Sequence, residues 1–194
     1  MKLLFKMALY NTYADAANTA VRAFLTEIGE YYWGKNFNTS SGKAKKDWET
    51  IRDQIFSGEC AYCGKSDSKL QMEHLIMFNR TEFGLHHPGN IVPSCKECNS
   101  RSKKMDGTYN TWEEHLSFIC EKNDQKEEFY YRWNKIKKHI SEGVYKYPKL
   151  SSEEEKAIQI IANNLYDCIK KEFSNAIKLY EELGKAFTGK QEDK

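Results

Sequence analysis

Residues 71–99, QMEHLIMFNRTEFGLHHPGNIVPSCKECN, gather side chains that a hydrophobic core does not use. Glu73 stands beside His74, Asn90 follows Pro88-Gly89, and Cys95-x-x-Cys98 is followed at once by Asn99. Upstream, Cys60-x-x-Cys63 supplies a second pair of thiols, with residues 64–94 between the pairs. Four soft sulfur ligands in two short knuckles make a closed tetrahedral zinc site, which holds a fold and does no chemistry. One such pair alone would equally suit a redox motif; two pairs flanking a small unit point to structural zinc. Tyr62 and Gly64 fit a knuckle, an aromatic to cover the metal and a glycine where the chain reverses. A segment with so little apolar content of its own needs that staple.

The nitrogen and oxygen groups between the knuckles suit a different task. A neutral imidazole takes a proton from water, and a divalent cation on hard oxygen ligands stabilises the charge that builds on phosphorus and on the leaving oxygen. A carboxylate and an amide oxygen are appropriate ligands for Mg²⁺, whereas thiolates are not. A zinc staple that ties the hairpin before residue 71 to the helix expected after residue 95 brings that helix back over the hairpin and Glu73, His74 and Asn99 together, and that set suits phosphodiester hydrolysis. Each residue also has a plainer reading. His74 is then a hydrogen-bonded structural histidine, Asn90 a turn residue and Asn99 a helix cap.

The elements that position these groups follow from periodicity. Apolar residues at 14, 17, 20, 21, 24, 25, 28, 31 and 32 repeat as on one helix face over 12–33, and Gly34 ends it. NFNTSSG at 36–42 reads as a loop. Trp48, Ile51, Ile55 and Phe56 mark a second helix over 44–56, stopped by Ser57-Gly58. Leu70 and Met72 alternate as in a short strand, IVP at 91–93 is its partner, and CKECNSRSKK at 95–104 opens a helix. Helices are expected again at 111–121 and 124–140, then a linker VYKYPKL, then a long helix capped by Ser151 or Ser152 with Glu153–Glu155 in its first turn. GKQEDK is expected to fray. The fold class is therefore α+β, mostly helical, with a small central ββα unit wrapped by N- and C-terminal helices.

Together these residues resemble the HNH endonuclease family, the ββα-metal fold. The matching residues are Cys60/Cys63, Glu73-His74, Asn90, Cys95/Cys98 and Asn99, and the upstream WETIRDQIFSGECAYCG resembles the lead into such domains. The resemblance implies that His74 is the general base and that Glu73 and Asn99 are ligands of a catalytic Mg²⁺ or Mn²⁺. It also implies that Asn90 holds the loop bearing the base and orients the histidine. The chain departs from the pattern at Glu73, where Asp is commoner, and at Met77 and Phe78, where a proline often stands. Ser102 also occupies a place often held by lysine, with Lys103 next. His86 and His87 are expected to face substrate or to serve structure. The implied division is 1–47 N-terminal helical region, 48–106 nuclease core with its four-cysteine zinc, and 107–194 C-terminal helical region.

Net charge is +2 over 194 residues, but residues 151–194 carry seven Lys against nine acids, leaving about +4 for the rest. Basic runs sit at 43–46, 101–104 and 132–139, two of them close to the motif. Lys43, Lys45, Lys46, Arg101, Lys103 and Lys104 are the expected phosphate contacts on DNA. Each run read singly is also an ordinary solvated face. No apolar run of about 18 residues is present to cross a membrane. MKLLFKMALY is interrupted by Lys6 and lacks a clear cleavage site, so the reading is a cytoplasmic chain. Cys120 and Cys168, alone in helical patterns, read as buried apolar residues.

An endonuclease of this size with helical additions suits restriction, a phage or mobile element, or anti-phage defence, as a homodimer or with a partner subunit. A zinc-knuckle nucleic-acid or protein-binding module without catalysis explains the cysteines and the basic runs but leaves Glu73-His74, Asn90 and Asn99 unused. A secreted nuclease toxin fits less well, with two unpaired cysteines.

Overall fold

The computed structural model describes residues 12–37, 43–66 and 69–188. The MKLLFKMALY stretch, most of the 36–42 loop, the terminal GKQEDK and the side chain of Lys43 lie outside the described residues.

Helix α1 (Tyr13–Trp33) begins where the Thr12 side chain accepts a hydrogen bond from the Asp15 amide. It ends at Gly34 with φ of 76°, whose N–H donates to Glu30. A left-handed cap of that kind favours glycine. Ala17, Val21, Leu25 and Gly29, four residues apart, form its buried stripe. That stripe packs on the long C-terminal helix α5 (Ser152–Thr188), started by a reciprocal pair of bonds between Ser151 and Glu154. The two run antiparallel, since Tyr32 at the end of α1 donates to Glu154 while Tyr13 at its start lies by Lys170. Leu85, wholly buried, is held between these helices with Ile158, Ala162 and Tyr166. The pair therefore grips the loop that carries His86.

The second core belongs to the motif. Helix α2 (Lys43–Glu49) runs into a π-helical stretch, Thr50–Ile55, where the Phe56 amide reaches back five residues to Ile51. Strands β1 (Gln71–His74) and β2 (Ile91–Ser94) pair antiparallel, with Glu73 opposite Val92 and His74 opposite Ile91. Helices α3 (Trp112–Lys122) and α4 (Phe129–Ser141) close the core with Leu116, Ile119 and Ile136 against Tyr62, Ile91 and Val92. Fully burying side chains of this size stabilises by about 1.5–3 kcal/mol each. A reciprocal box between Thr111 and Glu114 starts α3. His139 of α4 donates from Nε2 to the carbonyls of Pro88 and Ile91, at 3.1 and 2.9 Å. Among the described residues no helix is long and apolar enough to cross a membrane.

Two expectations are corrected here. No helix opens at Cys95. The Cys98 and Asn99 amides both fold back on the Cys95 carbonyl in a single turn, and residues 102–110 form a hairpin around Gly107, with Lys103 bridging Tyr109. The helical face of the unit comes instead from α3. A knuckle must curl so that its two thiols meet, and the chain beyond it is drawn inward by Arg101. Cys168 is exposed, its thiol near Asn164, because α5 turns that face outward, whereas Cys120 is buried as expected.

His87 should make the fold acid-sensitive. It is buried, and its Nδ1 accepts from the Gly89 amide at 3.0 Å. Burial, then His139, then His86 push its pKa down from 6.5 to about 4. The unfolded chain binds a proton in that window and the folded one does not. The contribution of His87 to stability is therefore expected in full above about pH 6.5 and is lost as pH drops from there towards 4. This group alone contributes at most about 1.4 kcal/mol per pH unit. His87→Asn keeps an acceptor for Gly89 and removes the titration. Its urea midpoints at about pH 7.5 and about pH 5 should lie closer together than the parent's, by up to the difference that slope implies. Equal spacing in both proteins would remove His87 from the account.

Candidate active site and zinc centre

The four motif cysteines converge. Their sulfurs all lie within 4.8 Å of one another, and Cys63 Sγ is 3.8 Å from Cys95 Sγ. A tetrahedral zinc with Zn–S bonds of about 2.3 Å separates its sulfurs by about 3.8 Å, so the cluster fits structural zinc. Gly64, with φ of 71°, turns the first knuckle, and its amide donates to Cys60. The Ala61 amide donates to Pro93, tying that knuckle to β2, and His115 of α3 donates to the Cys98 carbonyl at 2.8 Å. Hydrogen bonds that the Cys98 thiol donates to Cys60 and Cys63, followed by burial, push its pKa far up. Sulfurs this close do not all ionise without a cation between them.

Successive residues on a strand leave it on opposite faces, so Glu73 shares a face with Gln71 and His74 with Met72. On the first face, Arg101 grips Glu73 Oε1 from Nε at 2.9 Å and from Nη2 at 2.8 Å. Arg101 Nη2 also donates to the His74 carbonyl at 2.7 Å. Burial raises the Glu73 pKa, with Arg101 opposing it. Asn99 donates its Nδ2 to Gln71 Oε1 at 2.9 Å, which leaves Asn99 Oδ1 to meet a cation. Arg101 takes Oε1 of Glu73, so a cation there would use Oε2.

On the second face, His74 Nε2 lies 3.1 Å from His86 Nδ1, and the His74 ring stacks on Phe78 at 4.7 Å and 10°. Burial, then His86, then Arg101 push the His74 pKa down to about 3, so the ring is neutral at ordinary pH. An arriving phosphate anion would raise it again by the same electrostatic argument reversed. Asn90 is wholly buried beneath this residue. Its Oδ1 accepts from the Ile76 amide at 2.7 Å, and its Nδ2 donates to the carbonyls of Ile76 and Leu85, both at 2.9 Å. The loop after His74 is thereby pinned at both ends.

Glu73, His74 and Asn99 are thus neighbours on one short strand and one knuckle, but each is held by a different partner. The expected phosphate contact at Arg101 is not available: its side chain is only 1% exposed and is spent on Glu73, Tyr62 and backbone carbonyls. Lys103 is exposed over the Tyr109 ring, Lys104 pairs with Glu114 at 2.8 Å, Lys45 pairs with Glu49, and Lys46 is exposed.

Residues 60–104 match the family model described as HNH endonuclease. The chain carries an HNH domain. No curated protein and no solved structure matches the chain. The matched span contains both knuckles, the Glu73-His74 pair, Asn90 and Asn99, which the fold gathers around the two strands. Sequence reasoning missed four partners of these residues: Gln71 on Asn99, Phe78 and His86 on His74, and Arg101 on Glu73. Phe78 stands where the family often has proline, and its stacking gives the His74 ring a wall of another kind. Strand alternation alone would have paired Gln71 with Glu73; nothing in the local pattern pointed to the other partners.

Proposed function

We propose that the chain is a metal-dependent DNA endonuclease that hydrolyses phosphodiester bonds at the exit of β1. The observation that carries this reading is the state of His74. A carbonyl only accepts, so the 3.1 Å contact with Phe37 requires a proton on His86 Nε2. A neutral His86 then has its lone pair on Nδ1, and His74 must donate to it from Nε2. This leaves the lone pair of neutral His74 on Nδ1, free to take a proton from water. A bound Mg²⁺ or Mn²⁺ would supply charge stabilisation at the phosphate and the leaving oxygen. Glu73 and Asn99 are the oxygen ligands available for it. Asn90 keeps the loop after His74 from drifting. Arg101 fixes one carboxylate oxygen of Glu73 so that the other is aimed, and the zinc knuckles hold Asn99 against β1.

Supercoiled plasmid with Mg²⁺ or Mn²⁺, with and without EDTA, tests the reading. Nicking that EDTA abolishes is the expected result. Absence of nicking at high protein on several substrates favours the second reading, a zinc-knuckle binding module, for which the guanidinium occupying Glu73 Oε1 is the supporting observation. A restriction, mobile-element or defence setting belongs to the same proposal, as does a second copy or partner subunit for double-strand cuts. Sedimentation showing only monomers with and without DNA would remove the second copy.

Replacing Lys103 and Lys104 by Ala should weaken DNA binding and shallow its salt dependence. Each phosphate that a lysine no longer neutralises reduces the slope of log K against log salt by about 0.9. Lys103 should account for most of the change, because Lys104 is already paired with Glu114. An unchanged slope places the DNA on another face.

A further inference from the structure

We propose that His86 is the positioning residue of the HNH site, an acceptor that fixes the rotation of His74 and keeps its proton on Nε2. The inference rests on His74 being the base. It starts from how firmly His86 itself is placed. Its backbone lies against Gly29 of α1, where any Cβ would collide with the His86 carbonyl. Its amide points at the Leu25 carbonyl at 3.4 Å, and the preceding Leu85 is buried between α1 and α5. Its ring packs against Phe37 at 5.0 Å and donates to the Phe37 carbonyl. The one ring nitrogen left over, Nδ1, faces His74. With Phe78 stacked on its face and His86 holding Nε2, the His74 ring has neither tilt nor flip open to it.

His86 does not itself meet the phosphodiester. The cavity beside it, about 330 Å³, is lined by Glu27, Glu30, Phe37 and Phe78, and the two carboxylates in that lining repel a polyanion. A residue that sets the tautomer of a catalytic histidine acts on the rate of the chemical step and leaves substrate affinity alone.

Two substitutions separate positioning from simple packing. In His86→Asn the amide oxygen takes the place of Nδ1 and can accept from His74, but nothing reaches Phe37. In His86→Gln the amide reaches Phe37, but no acceptor remains where Nδ1 was. The full chain, with supercoiled plasmid and Mg²⁺, is assayed for kcat and KM alongside zinc content, melting and a His74→Ala control. Gln should lower kcat by about ten- to a hundred-fold with KM and zinc unchanged, the usual scale for a partner that orients a histidine. Asn should retain most of the rate. The opposite order would mean that the Phe37 bond, and hence the loop, is what matters, and would overturn the proposal. Recovery of the Gln variant in raised Mn²⁺ would make His86 a metal ligand and overturn it too. If both variants cut like the parent while His74→Ala is dead, the positioning role falls and the nuclease reading stands. If His74→Ala also cuts like the parent, the assignment of His74 as the base falls together with the positioning role, and the active site lies elsewhere.

Discussion

His74→Ala should fold, retain its zinc, bind DNA and lose cleavage by about two to four powers of ten, the usual contribution of a general base. The variant leaves Glu73, Asn99 and the four thiolates in place, and its ring contacts, with His86 and Phe78, lie away from the zinc centre. Asn99→Ala makes the informative comparison. It removes an oxygen ligand, so its loss should be partly reversed by raised Mn²⁺, which binds such sites more tightly than Mg²⁺ and demands less of their geometry. No metal concentration replaces a missing base, so His74→Ala should not respond. The measurement is cleavage rate against Mn²⁺ concentration for both proteins. Rescue of the histidine variant with indifference of the asparagine variant would reverse the two roles, and parental rates in both would move the active site out of this segment.

Cys98→Ser should abolish the central unit rather than the chemistry alone. Zinc binding in small structural sites is worth about 10–16 kcal/mol, as large as the whole stability of a typical domain. Cys98 is where the second knuckle meets both His115 of α3 and the turn that carries Asn99. A serine hydroxyl is a poor zinc ligand, and the remaining thiols would be left crowded without a cation. Zinc content should fall well below one per chain, and the melting transition of the core built on Tyr62, Val92 and Leu116 should be lost or broadened, with activity. The contacts between α1 and α5 do not touch the knuckles, so part of the helical signal should persist. A variant that stays folded and active with no bound zinc would refute a structural zinc at these cysteines.

Much of this was legible in the chain itself, where the determining interactions are local. Knuckle spacing brings two thiols to one point whatever surrounds them, and Gly64 supplies the turn the first knuckle requires. Helical periodicity located α1, α3, α4 and α5 because a buried stripe repeats every turn. Ser151 with Glu154 fixes the start of α5 from residues three apart. The two strands were short but carried their alternation, and Pro88-Gly89 set Asn90 beside β2. The sequence alone thus determined a unit of two cysteine knuckles, fit for structural zinc, with Glu73, His74, Asn90 and Asn99 in it.

Tertiary structure decided who holds each of those residues. His74 is paired with His86, and His86 with Phe37, across 12 and 49 residues of chain, because α1 and α5 seize Leu85 and bring the loop back. Arg101 looked like one more phosphate contact in a basic run. It is buried instead, because Glu73 beneath it needs a cationic partner once it leaves water, while the neighbouring lysines remain outside. The helix expected after Cys95 does not form because the knuckle and the inward pull of Arg101 outweigh the propensity of a short polar stretch, and α3 takes its place. Spacing in a sequence specifies which groups lie near one another along the chain; which of them are neutral, paired or free to meet a cation depends on partners that only packing between distant elements can bring.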